Sequence, residues 1–219
     1  METKRLTFFM KYHVAELFPT PLIITTVEEN TDELKSSNQF TTSQSDDFKY
    51  DYVQHKDGKR ILENYPEIRD ILLNKFTLFA YNLMQYKDKK YIITTSWLTH
   101  TKKGDRSTLH KHQNTFWSGV YYFQDEYPKG TAELSFSNPN EQLTSICFTN
   151  DDIKNFNQLN SNSFVIEPEP KMLLLFPSYL YHQVVLHKLD TKRLSLAFNI
   201  MPTTEWGSGD SYFNMDWVR

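Results

Sequence analysis

Cysteine is almost missing from these 219 residues: Cys147 stands alone. That excludes an intramolecular disulfide and any paired-cysteine metal or redox motif. Six glycines are too few for collagen-like, glycine-linker or phosphate-loop-rich architectures. Long apolar stretches are lacking too. The longest run, Met172 to Phe176, falls far short of the roughly 20 residues a membrane helix needs. The N-terminus has no signal-peptide core or cleavage pattern, so a cytoplasmic protein is expected. Nor is there a strong charge of one sign, since a net charge of -3 gives no field to recruit nucleic acid or anionic lipid. What the chain does have is aromatic bulk, 15% with 16 Phe and 13 Tyr, so large flat side chains supply much of the buried area.

One domain spanning 1–219 is expected, long enough to bury a core without disulfides or a structural metal. Residues 1–89 read as a supporting strand, loop and helix, 90–201 as a β core, and 202–219 as a tail. Phe18 to Ile24 is a proline-punctuated edge strand. Glu28 to Asp47, rich in Asn, Thr, Ser and acid, reads as solvated loop with room for one helical turn. From Pro66 to Tyr86 apolar residues recur at three- and four-residue spacing, which predicts the one clear helix. After Lys90 short β-branched or aromatic segments follow one another: 91–98, 109–114, 117–123, 132–137, 145–148, 162–168, 172–177, 180–186 and 193–201. Many short strands without intervening helices imply a mainly β, double-sheet antiparallel domain of jelly-roll type, with the early helix covering one face. The acidic, amide-rich 150–162 reads as a loop inserted over one end.

Chemistry begins at His110-Lys111-His112. In a strand, residues two apart face the same side, so both imidazoles point together and can chelate a divalent transition metal. The spacing alone also fits a pair of surface or core histidines. His182 lies in an otherwise aliphatic strand, where a lone histidine is usually a satisfied core residue. Arg193 opens a strictly alternating strand: Arg193, Ser195, Ala197 and Asn199 share one face, and Leu194, Leu196, Phe198 and Ile200 the other. Oily toward a covering helix and polar inward, that strand implies an internal pocket. Its arginine needs an anion there, because an unpaired buried guanidinium is costly. A small dicarboxylate would satisfy it through a bidentate fork, as would a protein carboxylate. Tyr122 shares a face with Ser118 and Val120, so it can point inward as a second donor while Tyr121 points away; both also fit as core aromatics.

Taken in order, these pieces resemble the 2-oxoglutarate- and Fe(II)-dependent dioxygenases, whose double-stranded β-helix carries HxD, a distal His and an RxS anchor. The chain is most similar to a little-characterised branch of that superfamily found in bacteria and phages. The matching phrases are His110 to Asn114, Ser118 to Tyr122, Leu174 to His182 and Arg193 to Asn199, so the likeness covers about residues 90–201.

The resemblance implies Fe(II) and 2-oxoglutarate as cofactors, O2 as co-substrate, and oxidation of a further substrate with release of succinate and CO2. It implies His110, His112 and His182 as metal ligands. Arg193 would anchor the far carboxylate with Ser195 and Tyr122, and Asn114 and Asn199 would support the ligands from behind; no other catalytic group is assigned. His112 stands where the family places Asp. That swap removes a negative charge from the metal, and three neutral nitrogens also suit Zn(II). A shifted pair, His112 with Asn114, ranks lower because an amide is a poor iron ligand. Nothing in the spacing favours Asp105, and Glu133 and Asp152 receive no role. His100 and His187 are expected to face solvent, and Trp97 and Trp117 to be core or pocket wall. A three-His cupin-type protein without 2-oxoglutarate and a non-catalytic jelly-roll module are the competing readings. No motif identifies the primary substrate; exposed β edges make a homodimer plausible, although no motif points to one.

Overall fold

A computed structural model describes residues 18–37, 40–42, 59–87, 89–140 and 151–218. Pro66 opens α1 (Pro66–Asn82), where its missing N–H would have had no partner in any case. Ile68, Leu72, Phe76 and Ala80, each four residues from the last, form the buried stripe. The helix stops short of the expected Tyr86 because Gln85 adopts a left-handed φ of 55°, a conformation that cannot continue an α-helix.

Six strands form the main sheet. In chain order they are β1 (Ile23–Thr26), β2 (Phe40–Thr42), β3 (Tyr91–Thr101), β4 (Trp117–Tyr121), β7 (Met172–Pro177) and β9 (Arg193–Pro202). Their spatial order is β1-β7-β4-β9-β3-β2, antiparallel except for the β2–β3 pair. A facing sheet orders β6 (Ser163–Ile166), β5 (Leu134–Ser137) and β8 (His182–Val184) as β6-β5-β8. The chain closes with a small pair, β10 (Glu205–Trp206) and β11 (Phe213–Asn214). This is the double-sheet jelly roll expected from the many short strands.

Two apolar layers hold it together. Between α1 and the main sheet lie Leu173, Leu175, Leu196, Phe198, Ile200 and Trp117; between the sheets lie Leu174, Phe176, Tyr122 and Phe136. The apolar run of β7 is therefore continuous because the strand is buried on both faces. Gly119 sits opposite Phe198 in the β4–β9 register, and a Cβ there would lie 2.2 Å from the Phe198 ring. Only glycine lets that ring lie across the sheet.

β3 carries a register shift between Ile93 and Thr95. Before it Tyr91 and Ile93 face the helix layer; after it Thr95, Trp97, Thr99 and Thr101 pair with Asn199, Ala197, Ser195 and Arg193. One extra residue thus turns the second half of the strand toward the interior.

Several expectations need correcting. Residues 109–114 are not a regular strand: only an isolated bridge joins His110 to His182, and Asn114 is left-handed with φ 57°. In the loop 28–47 the expected helical turn is a 3-10 turn (Asp32–Ser36), but Phe40–Thr42 is β2; 38–39 and 43–47 lie outside the described residues. The strand expected at 145–148, Cys147 and the N-terminal 1–17 also lie outside them. No helix among the described residues is long and apolar enough to cross a membrane.

Candidate active site

The backbone brings the histidines together first. His110 and His182 exchange both backbone hydrogen bonds, at 3.0 and 2.8 Å, and the His112 N–H donates to Ser178 O at 3.0 Å. The segment ahead of β4 is thereby strapped to β8 and to the end of β7. Ring centroids stand 4.5 Å apart for His110 and His182, 5.1 Å for His112 and His182, and 5.3 Å for His110 and His112. One ligand nitrogen from each lies within 4.8 Å of the others.

Each ring is also oriented from behind. Nδ1 of His110 donates to Thr108 O at 2.8 Å, and Nδ1 of His182 to Leu180 O at 2.9 Å. A carbonyl only accepts, so both rings carry the proton on Nδ1 and leave the Nε2 lone pair free. His112 Nδ1 meets Asn199 Oδ1 at 2.7 Å and Ser118 Oγ at 2.9 Å. Asn199 is itself held, its Nδ2 donating to Thr95 Oγ1 at 2.8 Å, and the Ser118 and Ser178 hydroxyls are 2.8 Å apart.

Burial favours the neutral form of His112 and His182. Phe176 stands 4.9 Å and Phe136 6.0 Å from the His182 ring. Desolvation, with His110 adding repulsion, pushes the His182 pKa down to about 3. Desolvation also lowers that of His112, although the hydrogen bond to Asn199 opposes it. Neutral imidazoles with free Nε2 atoms are the state a transition metal requires.

Arg193 is 1% exposed. Its guanidinium donates to Tyr122 OH at 2.9 Å and Ser195 Oγ at 3.2 Å and lies 5.0 Å from the Tyr122 ring centre. Its Nε has no partner, and no carboxylate pairs with it among the described residues. Tyr121 points to the opposite face, bonding Thr31 at 2.7 Å.

The other candidate residues separate from this set. Asn114 is exposed, whereas Asn199 is the amide that touches a histidine. Asp105 accepts from the Lys102 N–H at 2.8 Å and closes a turn. Neither it, Glu133 nor Asp152 joins the metal-capable group. His187 is fully buried, accepting from Ala132 N at 3.1 Å and donating to Thr191 O at 2.8 Å, and His100 is half-buried, stacked on Phe40. The expectation of solvent for both is therefore wrong; His187 closes a loop as a satisfied core histidine. Trp97 stands 5.7 Å from His112 as pocket wall, and Trp117 packs on Phe76 and Phe79 of α1. The sequence by itself gives no role to Thr95, Ser118 or Ser178. The inward face shared by Ser118 and Tyr122 is a usable signal; Thr95 is hidden by the bulge.

Comparison with known proteins follows the same lines. Residues 95–199 match the family model described as "Putative 2OG-Fe(II) oxygenase". No curated protein matches the chain. Among solved structures, the chain is similar to a 2OG-Fe(II) oxygenase family oxidoreductase from Burkholderia pseudomallei (14% identity, TM-score 0.41, 57% of this chain and 50% of that one). It is also similar to a Pseudomonas putida prolyl-4-hydroxylase (16%, 0.35, 64% and 59%). A third similar structure is HygX from Streptomyces hygroscopicus with nickel and 2-oxoglutarate bound (10%, 0.47, 84% and 83%). The chain thus spans about half the length of the first of these. The donor set fits the family's cofactors: three clustered imidazoles for Fe(II), and a buried guanidinium with an unpaired N–H for 2-oxoglutarate. The stretch carrying all four groups, residues 95–199, is thus the part of the chain that is similar to the putative 2OG-Fe(II) oxygenase family.

Proposed function

We propose that this chain is a 2-oxoglutarate- and Fe(II)-dependent oxygenase in which His110, His112 and His182 hold the iron. Arg193, with Tyr122 and Ser195, anchors the far carboxylate of 2-oxoglutarate. The chain is read as one domain, in which the described residues of 1–89 support the main sheet, 90–201 hold the site and 202–218 follow as a tail. A single cysteine fits a reducing, cytoplasmic setting.

The observation that carries the reading is Arg193, a buried guanidinium with an unsatisfied Nε and, among the described residues, no carboxylate beside it. Leaving such a charge unpaired is costly, and a small dicarboxylate supplies both the charge and the acceptors. Iron with 2-oxoglutarate and O2 supplies oxidative decarboxylation, which releases succinate and CO2 and drives oxidation of a second substrate. The chain's own residues prepare the site. Thr108, Leu180 and Asn199 keep the three imidazole protons on Nδ1, away from the metal face. Phe136, Phe176 and Trp97 limit water around the rings.

An all-imidazole set also suits Zn(II), so a three-His protein without 2-oxoglutarate is the second reading. One assay separates them: succinate formation from 2-oxoglutarate that requires Fe(II) and vanishes in Arg193→Ala supports the oxygenase. Zinc recovered from protein purified without added metal, with neither 2-oxoglutarate binding nor turnover, refutes it.

A further inference from the structure

A second concavity of about 550 Å³ lies where the segment after α1, the chain entering β4 and the end of β9 meet. That volume is in the range of small-molecule pockets. Rings of Tyr86, Tyr91, Phe116 and Trp206 line it, and so do Lys87 and Lys89. The rings are held in place: Trp206 packs on Phe213 at 4.7 Å across the β10–β11 pair, and Phe116 on Tyr86 at 5.8 Å. Lys89 Nζ donates to Glu205 O at 2.8 Å, tying β10 to the segment ahead of β3 and leaving ammonium hydrogens to spare. The Glu205 carboxylate takes the Tyr212 hydroxyl instead, and among the described residues no carboxylate lines the concavity.

Two chain segments link this concavity to the histidine cluster. Asn114, two residues past His112, lines it, and so does Met201. Met201 is two residues beyond Asn199, the residue bonded to His112, and alternation puts both on the same face of β9. A strand rises about 3.3 Å per residue, so these wall residues begin roughly 7 Å along the backbone from the one that orients His112.

We propose that this concavity receives the primary substrate, and that the substrate is a small, flat, apolar molecule carrying an anionic group. Aromatic walls bury a flat body by stacking and area, while the two lysine side chains that line the concavity favour a carboxylate or sulfonate. The anionic end sits at Lys87 and Lys89, and the opposite end points toward Asn114 and Met201, the side of the histidines. The oxidation itself rests on the oxygenase reading; the binding does not.

The test is calorimetric titration of the full chain with 2-naphthoate, and with 2-naphthalenemethanol as its neutral counterpart. The naphthoate binds, the alcohol binds at least about tenfold more weakly, and saturating 2-oxoglutarate does not displace the naphthoate. Lys87→Gln/Lys89→Gln abolishes the preference for the anion, and Trp206→Ala weakens both ligands; circular dichroism establishes that both variants are folded. Equal affinity for acid and alcohol, an unchanged preference in the double variant, or displacement by 2-oxoglutarate overturns the proposal. Failure of the underlying reading looks different: naphthoate binds as described, yet Fe(II) and 2-oxoglutarate give no succinate.

Discussion

Replacing Arg193 with methionine separates a ligand anchor from a structural ion pair. Methionine keeps the length and removes the charge. If the guanidinium awaits a carboxylate, two charge-assisted hydrogen bonds of about 1.5–3 kcal/mol each disappear from the complex. Affinity for 2-oxoglutarate then falls by about 10²- to 10⁴-fold. In the natural protein, ligand at one hundred times its Kd adds about 2.7 kcal/mol of stability. For a chain of this size that is a Tm rise of about 5–11 °C; at the same concentration the variant rises by no more than about 2 °C. The ligand-free variant changes by no more than about 2 kcal/mol, because the hydrogen bonds lost to Tyr122 and Ser195 are offset by removing a buried charge with an unsatisfied Nε. Differential scanning fluorimetry under anaerobic Fe(II), with and without 2-oxoglutarate, reads both quantities. A ligand-free loss of about 3–5 kcal/mol, the cost of breaking a buried ion pair, together with an intact 2-oxoglutarate shift, would refute the reasoning.

Three further outcomes follow from the same geometry. Asn199→Leu removes the nearer of the two partners of His112 Nδ1, leaving Ser118 Oγ, and weakens metal binding by about 10- to 100-fold, read by competition with a chromogenic chelator; Asn199→Asp, which keeps the acceptor, retains it. The metal-free protein loses stability as pH falls below 6.5. His182 holds a folded pKa of about 3 against the usual 6.5, so the unfolded chain binds the proton first. Its contribution is about 1.4 kcal/mol per pH unit, or about 2 kcal/mol between pH 6.5 and 5, measured as the difference in urea stability between the natural chain and His182→Leu. Gly119→Ala drives a methyl into the Phe198 ring and costs about 1–3 kcal/mol or more, read by urea denaturation; an unchanged midpoint would mean that the ring does not lie across the strand.

Much of the site is legible in the sequence because alternation in β9 is strict. Four apolar residues toward α1 put Arg193, Ser195 and Asn199 on the interior face, and the same alternation in β4 separates Tyr122 from Tyr121. The histidine pair comes together for a different reason than strand alternation. Residues 109–114 leave regular β structure, and the bonds from His110 to His182 and from His112 to Ser178 aim the rings. Such long-range backbone pairing has no local sequence signature. The same holds for Thr95, whose inward position depends on the shift between Ile93 and Thr95, and for His187, whose burial comes from partners at Ala132 and Thr191. Asn114 reads as a strand residue by its spacing, but its left-handed backbone carries it to the wall of the neighbouring concavity.

Anaerobic crystals grown with Fe(II) and 2-oxoglutarate, measured at the iron absorption edge, test the central claim most directly. The account requires one anomalous peak bonded to Nε2 of His110, His112 and His182, with the far carboxylate of 2-oxoglutarate on Arg193. A peak missing one of those imidazoles, or a 2-oxoglutarate that leaves the guanidinium untouched, contradicts it.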